Sequence, residues 1–166
     1  MIKEQVAGRD ASRPAILILG LGNPLRGDDG IGPVVIEELL SRDLPEGVTA
    51  LDGGSGGLDL LQMLEGWDHV VAVDAAEVGL EPGQFVRFTP DEAHLAQRPT
   101  DFSLHYASLS EVLILANALG RTLPEIVIFG IQPAKIDWGE GLTPSVKNAI
   151  PNLIDAILKE VTSTLL

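Results

Sequence analysis

Two aspartates stand side by side behind a glycine turn. The stretch ILILGLGNPLRGDDGIG runs from Ile16 to Gly32 and puts Asp28 and Asp29 shortly after Gly20, Gly22 and Asn23. A third carboxylate, Asp74, closes the apolar stretch VVAVD, and a histidine, His105, stands in DFSLHYASL. Two carboxylates and one imidazole can make a divalent-metal site with open positions, if the fold brings them together. Crowded carboxylates raise one another's pKa, and a divalent ion removes that conflict. Asp29, Asp74 and His105 are therefore the candidate metal ligands. Each also has a plainer reading. Aspartate favours helix N-termini, where it accepts free N–H groups and suits the macrodipole. Asp28 is the better cap of the two, which leaves Asp29 unexplained. Asp74 can cap a loop, and a lone histidine is more often packed or superficial. His69, at a strand start, and His94, in a polar stretch, have weaker cases.

The turn itself resembles the start of a dinucleotide fingerprint, but the third glycine expected there is Leu25. The fingerprint also needs a helix N-terminus aimed at a pyrophosphate. Two carboxylates at that terminus would repel it by about 4 kcal/mol per contacting pair at an effective dielectric near 20. No Gly-Lys-Ser/Thr occurs, so a Walker phosphate loop is absent as well. A second glycine cluster, GGSGG at Gly53–Gly57, follows Asp52. Glycines there let a bound chain approach the backbone closely. Ser55 satisfies a bare G-x-S-x-G pattern, yet a serine nucleophile needs a strand-to-helix elbow and partners that this sequence does not display. Asp137, Trp138 and Glu140 sit in a further loop, where surface solvation explains them adequately.

Composition narrows the chemistry. The 166 residues suit one domain, and a 45% hydrophobic content fills its core. There is no cysteine, which excludes disulfides, thiolate zinc and a cysteine nucleophile. Any metal must use oxygen and imidazole ligands. With 11 basic and 24 acidic residues the net charge is -13, which argues against nucleic acid as a partner. No apolar run approaches the roughly 20 residues that span a bilayer. The expectation is a cytoplasmic monomer with no membrane partner and no resident organic cofactor.

These residues need elements to position them. Residues 1–14 read as a flexible lead-in and 15–166 as one α/β domain. Ala15–Gly20 reads as a buried strand, followed by a helix from Ile31 to Ser41. Val48–Asp52 is a second strand and Leu58–Leu64 a short helix. His69–Ala75 is a third strand, Gln84–Thr89 an edge strand, and Ile126–Ile131 another buried one. Ser108 and Glu111 have capping-box spacing, which predicts a helix from there to Leu119. Thr143–Pro144 opens a last helix, which Pro151 should kink or split. The alternation predicts helices on both faces of a mostly parallel sheet, with the site beyond the carboxyl ends of the strands.

The blocks GLGNPLRGDDGIG, LDGGSGGLDLL, VVAVDAA, SLHYASLSEVL and GIQPAKIDWGEGLTPSV, in that order, resemble the hydrogenase maturation endopeptidases over nearly the whole chain from Ile16 onward. The resemblance implies a three-layer α/β/α sandwich around a twisted sheet. It implies an enzyme that trims the C-terminal extension of the [NiFe] hydrogenase large-subunit precursor once nickel is in place. Nickel would come with the precursor. The family's metal-binding positions fall on Asp29, Asp74 and His105, as metal reader or catalyst. Gly22, Asn23, Gly53, Gly54, Ser55 and Gly56 would hold the substrate chain. GLGNP is also similar to the opening of peptidyl-tRNA hydrolase. That enzyme needs a histidine soon after the turn and a basic face, whereas the first histidine here is His69 and the charge is -13. A chaperone that binds the precursor without cutting it is the other rival.

Overall fold

The computed structural model describes residues 13–95 and 104–166, and of residues 94, 95 and 104–108 the backbone alone. The lead-in expected over 1–14 lies almost wholly outside them. Five strands form one sheet: β1 (Ile16–Gly20), β2 (Val48–Asp52), β3 (His69–Ala75), β4 (Phe85–Phe88) and β5 (Glu125–Ile131). Their spatial order is β2-β1-β3-β5-β4. The first four are parallel, and β4 runs antiparallel along β5 at the edge. The helices are α1 (Ile31–Leu40), α2 (Asp59–Leu64), α3 (Pro90–Leu95), α4 (Leu104–Ala118) and α5 (Pro144–Leu165). None among the described residues is long and apolar enough to cross a membrane.

Strand alternation sorts the core into two layers. On β1, Ile16 and Ile18 face α1 and α5, where they meet Val35, Leu39, Leu153, Ile154 and Ile157. Leu17 and Leu19 face the other way, toward Leu60 and Leu64 of α2 and Leu109 and Val112 of α4. A parallel sheet must be covered on both faces, and here it is, in the expected three-layer α/β/α arrangement. The chain leaves β1 for β2 on one side and returns to β3 on the other. Connections therefore diverge at the carboxyl ends of β1 and β3, the place where open α/β sheets form a crevice.

Three elements differ from expectation. α4 begins at Leu104, so Ser108 lies within it and the Ser108–Glu111 pair does not start it. α3 was not foreseen, although its signal is the same as at α5. Thr89 caps Pro90 at the first turn, the Glu92 carboxylate accepts the Thr89 N–H at 2.7 Å, and the Thr89 hydroxyl accepts the Glu92 N–H at 3.3 Å. Pro151 does not split the last helix, which runs unbroken through 22 residues. Pro151 is on its exposed side, where water can serve the carbonyl that a proline cannot.

Candidate active site

The glycines of the first turn serve close packing. A methyl group on Gly20 would lie 2.5 Å from the Gly32 carbonyl oxygen, and one on Gly32 would lie 2.7 Å from that of Val73. The first turn of α1 thus rests directly on the ends of β1 and β3. Gly22 has φ +135°, and a side chain there would overlap the Asp29 carbonyl oxygen. What a phosphate occupies in nucleotide-binding turns is here filled by the protein's own backbone. Between Gly22 and α1 lies a single 3-10 turn, Gly27–Gly30, which carries both aspartates.

Asp28 is fully buried. It does not cap its own helix, contrary to expectation; its carboxylate reaches a loop more than a hundred residues away. The N–H groups of Ala134 and Lys135 donate to it at 2.9 and 3.0 Å. The N–H of Thr143 donates at 2.7 Å, and the Thr143 hydroxyl lies 2.8 Å and 3.0 Å from the two oxygens. Thr143 does stand at the N-cap of α5, but its hydroxyl is given to Asp28 rather than to the helix. The rim loops after β1 and β5 are thereby joined at both ends of segment 134–143. Backbone bonds complete the seam: Gly27 N–H to Gly139 O at 2.8 Å and Gly139 N–H to Leu25 O at 3.0 Å.

Asp29 is 3% exposed and Asp74 2%. An Asp29 oxygen accepts the Asn23 N–H at 3.0 Å, which closes the glycine turn around it. Asp74 lies on β3 opposite Gly130 of β5, one residue past the register of Gly20 with Val73. By alternation it shares a sheet face with Val70 and Ala72, the face that α4 covers. His105 falls in the first turn of α4, one turn ahead of Leu109, and its side chain lies outside the described residues. The backbone therefore brings Asp29 and Asp74 to one end of the sheet, and His105 lies in the first turn of the helix that covers the face of Asp74. Among the described residues no three His, Asp or Glu side chains form a metal-holding group. His69 pairs with Glu125 at 3.2 Å at the opposite end of its strand, away from this rim. The His94 side chain lies outside the described residues.

The second glycine cluster joins the first. Gly53 N–H donates to Gly20 O at 2.8 Å, and Gly22 N–H donates to Gly54 O at 2.9 Å. Gly54, Gly56 and Gly57 take φ values of +60°, +88° and +102°, which favour glycine. Ser55 at the tip is exposed. Gly22, Asn23, Gly53 and Gly54 thus form one backbone surface next to Asp29, with Ser55 and Gly56 at its outer edge. Behind β3, the Gln132 amide fixes the next loop: it accepts Val78 N–H at 2.9 Å and donates to Glu77 at 2.7 Å.

A family model described as hydrogenase maturation protease matches residues 33–160. The hydrogenase expression/formation protein HupD of Bradyrhizobium diazoefficiens is 41% identical over 142 residues, covering 84% of this chain and 74% of that protein. The chain belongs to the hydrogenase maturation protease family. The fold agrees: the protease superposes on the hydrogenase maturating endopeptidase HybD from E. coli with a TM-score of 0.78 and 31% identity. That match covers 90% of this chain and 93% of the other. The coenzyme F420 hydrogenase subunit delta of Methanothermobacter thermautotrophicus, 34% identical, matches over 88% of this chain and 94% of its own length.

The protease is an endopeptidase, so its site must place a peptide carbonyl and deliver water to it. The backbone ledge of Gly22 and Gly54 and the buried carboxylates Asp29 and Asp74 are the candidates for this among the described residues. Sequence reading missed the tie of Thr143 to Asp28, the role of Gln132 and the Arg26–Trp138 contact. Nothing in a linear sequence ties Asp28 to Thr143. The contact between Arg26 and Trp138, with the guanidinium carbon 5.9 Å from the ring centroid, likewise bridges two loops far apart in the chain.

Proposed function

We propose that this protease, as a cytoplasmic monomer, removes the C-terminal extension of a [NiFe] hydrogenase large-subunit precursor after nickel insertion. In this reading nickel belongs to the substrate. Asp29, Asp74 and His105 contact it and so test whether the precursor is ready. The observation that carries the reading is the burial of two carboxylates at one end of the sheet, Asp74 near the end of β3 and Asp29 in the 3-10 turn of the loop that follows β1. Oxygen ligands suit a divalent ion, and an imidazole from α4 is the natural third donor. Two carboxylates attract positive charge, which suits a cationic visitor better than a neutral one.

Docking of the metal would set the scissile peptide along Gly22, Asn23 and the 53–56 ledge. Holding a peptide and a water in register supplies much of the rate by positioning. Water adds to the carbonyl carbon, the C–N bond breaks, and the leaving amine takes a proton. The absence of cysteine and the exposed, glycine-flanked setting of Ser55 favour this route over an acyl-enzyme.

The test mixes the purified protease with nickel-loaded and with nickel-free precursor and follows mass at the C-terminus. Loss of the extension from the loaded form alone is expected. Asp29→Asn and His105→Ala should each abolish it while leaving the melting temperature nearly unchanged. Equal cutting of both precursor forms would overturn the metal-reading role. Tight binding with no loss of mass would make the protein a chaperone.

A further inference from the structure

We propose that Arg26, held over Trp138, is a positioning residue that receives a carboxylate of the precursor protein and seats it beside the Asp29 loop. The inference rests on the proposed function, since it names what part of that same substrate this rim grips.

Arg26 is set apart by what it lacks. Arg13, Arg87 and Arg121 each pair with a glutamate, Glu46, Glu160 and Glu65 respectively. Arg26 makes no ion pair among the described residues, although the chain has 24 acidic residues to 11 basic ones. Arg42 is also without one, but it is exposed at the end of α1, where water solvates it. Arg26 is part-buried, and its Nε is buried with no hydrogen-bond partner among the described residues. An unmatched buried donor lowers stability, and where a fold keeps one the cause is commonly a functional one.

Its surroundings hold it in presentation. The backbone N–H of Arg26 donates to Asn23 O at 3.0 Å, and the flanking residues are stitched to Gly139. Asp28 then clamps both ends of the loop that carries Trp138. The guanidinium plane has an indole for a floor, which leaves its outer nitrogens for a planar, two-oxygen acceptor. Trp138 is 75% exposed and neighbouring Leu25 50%. An exposed tryptophan, an exposed leucine and an unpaired arginine on one rim have the makeup of an interface anchor. In a protein of net charge -13 an acidic segment is repelled nearly everywhere. A cation three residues before Asp29, with no ion pair among the described residues, therefore fixes where such a segment lands and in what orientation.

The experiment compares cleavage of nickel-loaded precursor by the wild type, Arg26→Ala, Arg26→Lys and Trp138→Ala, at low and raised ionic strength. Arg26→Ala should raise KM roughly tenfold, the effect falling on KM rather than kcat, with an unchanged melting temperature. Arg26→Lys should recover part of the loss, because a point charge replaces the fork only partially. The wild-type KM should rise with salt and that of Arg26→Ala should not. An unaltered KM in Arg26→Ala, or equal salt dependence in both, would overturn the inference. If the wild type fails to cut the loaded precursor, the proposed function falls. Calorimetric binding of uncut precursor by wild type and Arg26→Ala then decides Arg26 alone: equal affinities refute it, a tenfold gap supports it.

Discussion

Asp28 takes up the backbone of a loop more than a hundred residues away; Asp29, the next residue, accepts an N–H from its own turn and faces the rim shared with Asp74. Both are buried carboxylates in one 3-10 turn. The difference lies in what meets each of them. Asp28 is surrounded by donors the chain supplies, so its charge is spent on architecture. Asp29 accepts the Asn23 N–H of its own turn, next to the ledge of Gly22 and Gly54. Two adjacent acidic residues thus need not share one role: Asp28 holds the wall, and Asp29 is the one proposed to meet the substrate.

The strongest way to break this contrast is to exchange the roles by mutation. Asp29→Ala should lower kcat/KM for nickel-loaded precursor by about a hundredfold or more, because the substrate loses its register. Its stability should fall by about 1 kcal/mol, the share of a single hydrogen bond. Asp28→Ala should do the reverse. Removing it strands the N–H groups of Ala134, Lys135 and Thr143, at a cost of about 3 kcal/mol. For a chain of this size that is a fall in melting temperature of roughly 6–12 °C. Calorimetry and cleavage assays on both variants decide the matter. A cold-stable Asp28→Ala that cannot cut, or an Asp29→Ala that melts early but cuts normally, would erase the distinction.

The two glycine clusters repeat the contrast in backbone form. Gly22 is hemmed in by the Asp29 carbonyl, whereas a methyl on Gly54 would meet nothing within 4 Å. Gly22→Ala should therefore cost about 2 kcal/mol from overlap and strain together. Gly54→Ala should cost about 1 kcal/mol, the conformational part alone. Urea unfolding of the two variants separates these contributions, and equal losses would show that space at Gly22 is not the constraint.

How much of this was legible beforehand follows the same division. Local patterns read well: apolar runs gave β1, β2, β3 and β5, and Thr143–Pro144 marked the start of α5. That Asp29 and Asp74 fall at one end of the sheet was legible, because the loops after parallel strands share one rim, which a sequence shows through its alternation of elements. The role of Asp28 was not, since its donors come from a loop that only the folded sheet brings near. The start of α4 was misplaced because Ser108 and Glu111 satisfy a capping pattern that also occurs inside helices. Arg26 was passed over for a similar reason: an arginine in a sequence does not announce whether a glutamate will find it.

Glu160 sharpens the comparison from the far edge of the sheet, as a carboxylate met by a cation instead of by amides. Arg87 of β4 donates to both its oxygens at 2.8 Å, tying the edge strand to α5. That hydrogen bond holds the Glu160 carboxyl below its ordinary value of 4.5, with burial working in the opposite direction. A carboxylate lowered in the folded state contributes stability above its unfolded pKa and loses it as pH falls through the folded one. The Arg87 side chain is 46% exposed, so solvent screening limits the pair to about 0.5 kcal/mol. Arg87→Gln should accordingly unfold at lower urea than the wild type at neutral pH, by that small margin, and the gap should close as pH falls below 4.5 and through the lowered folded-state value. A gap that stays constant into acid would mean that the side chain's packing, and not its charge, joins β4 to α5.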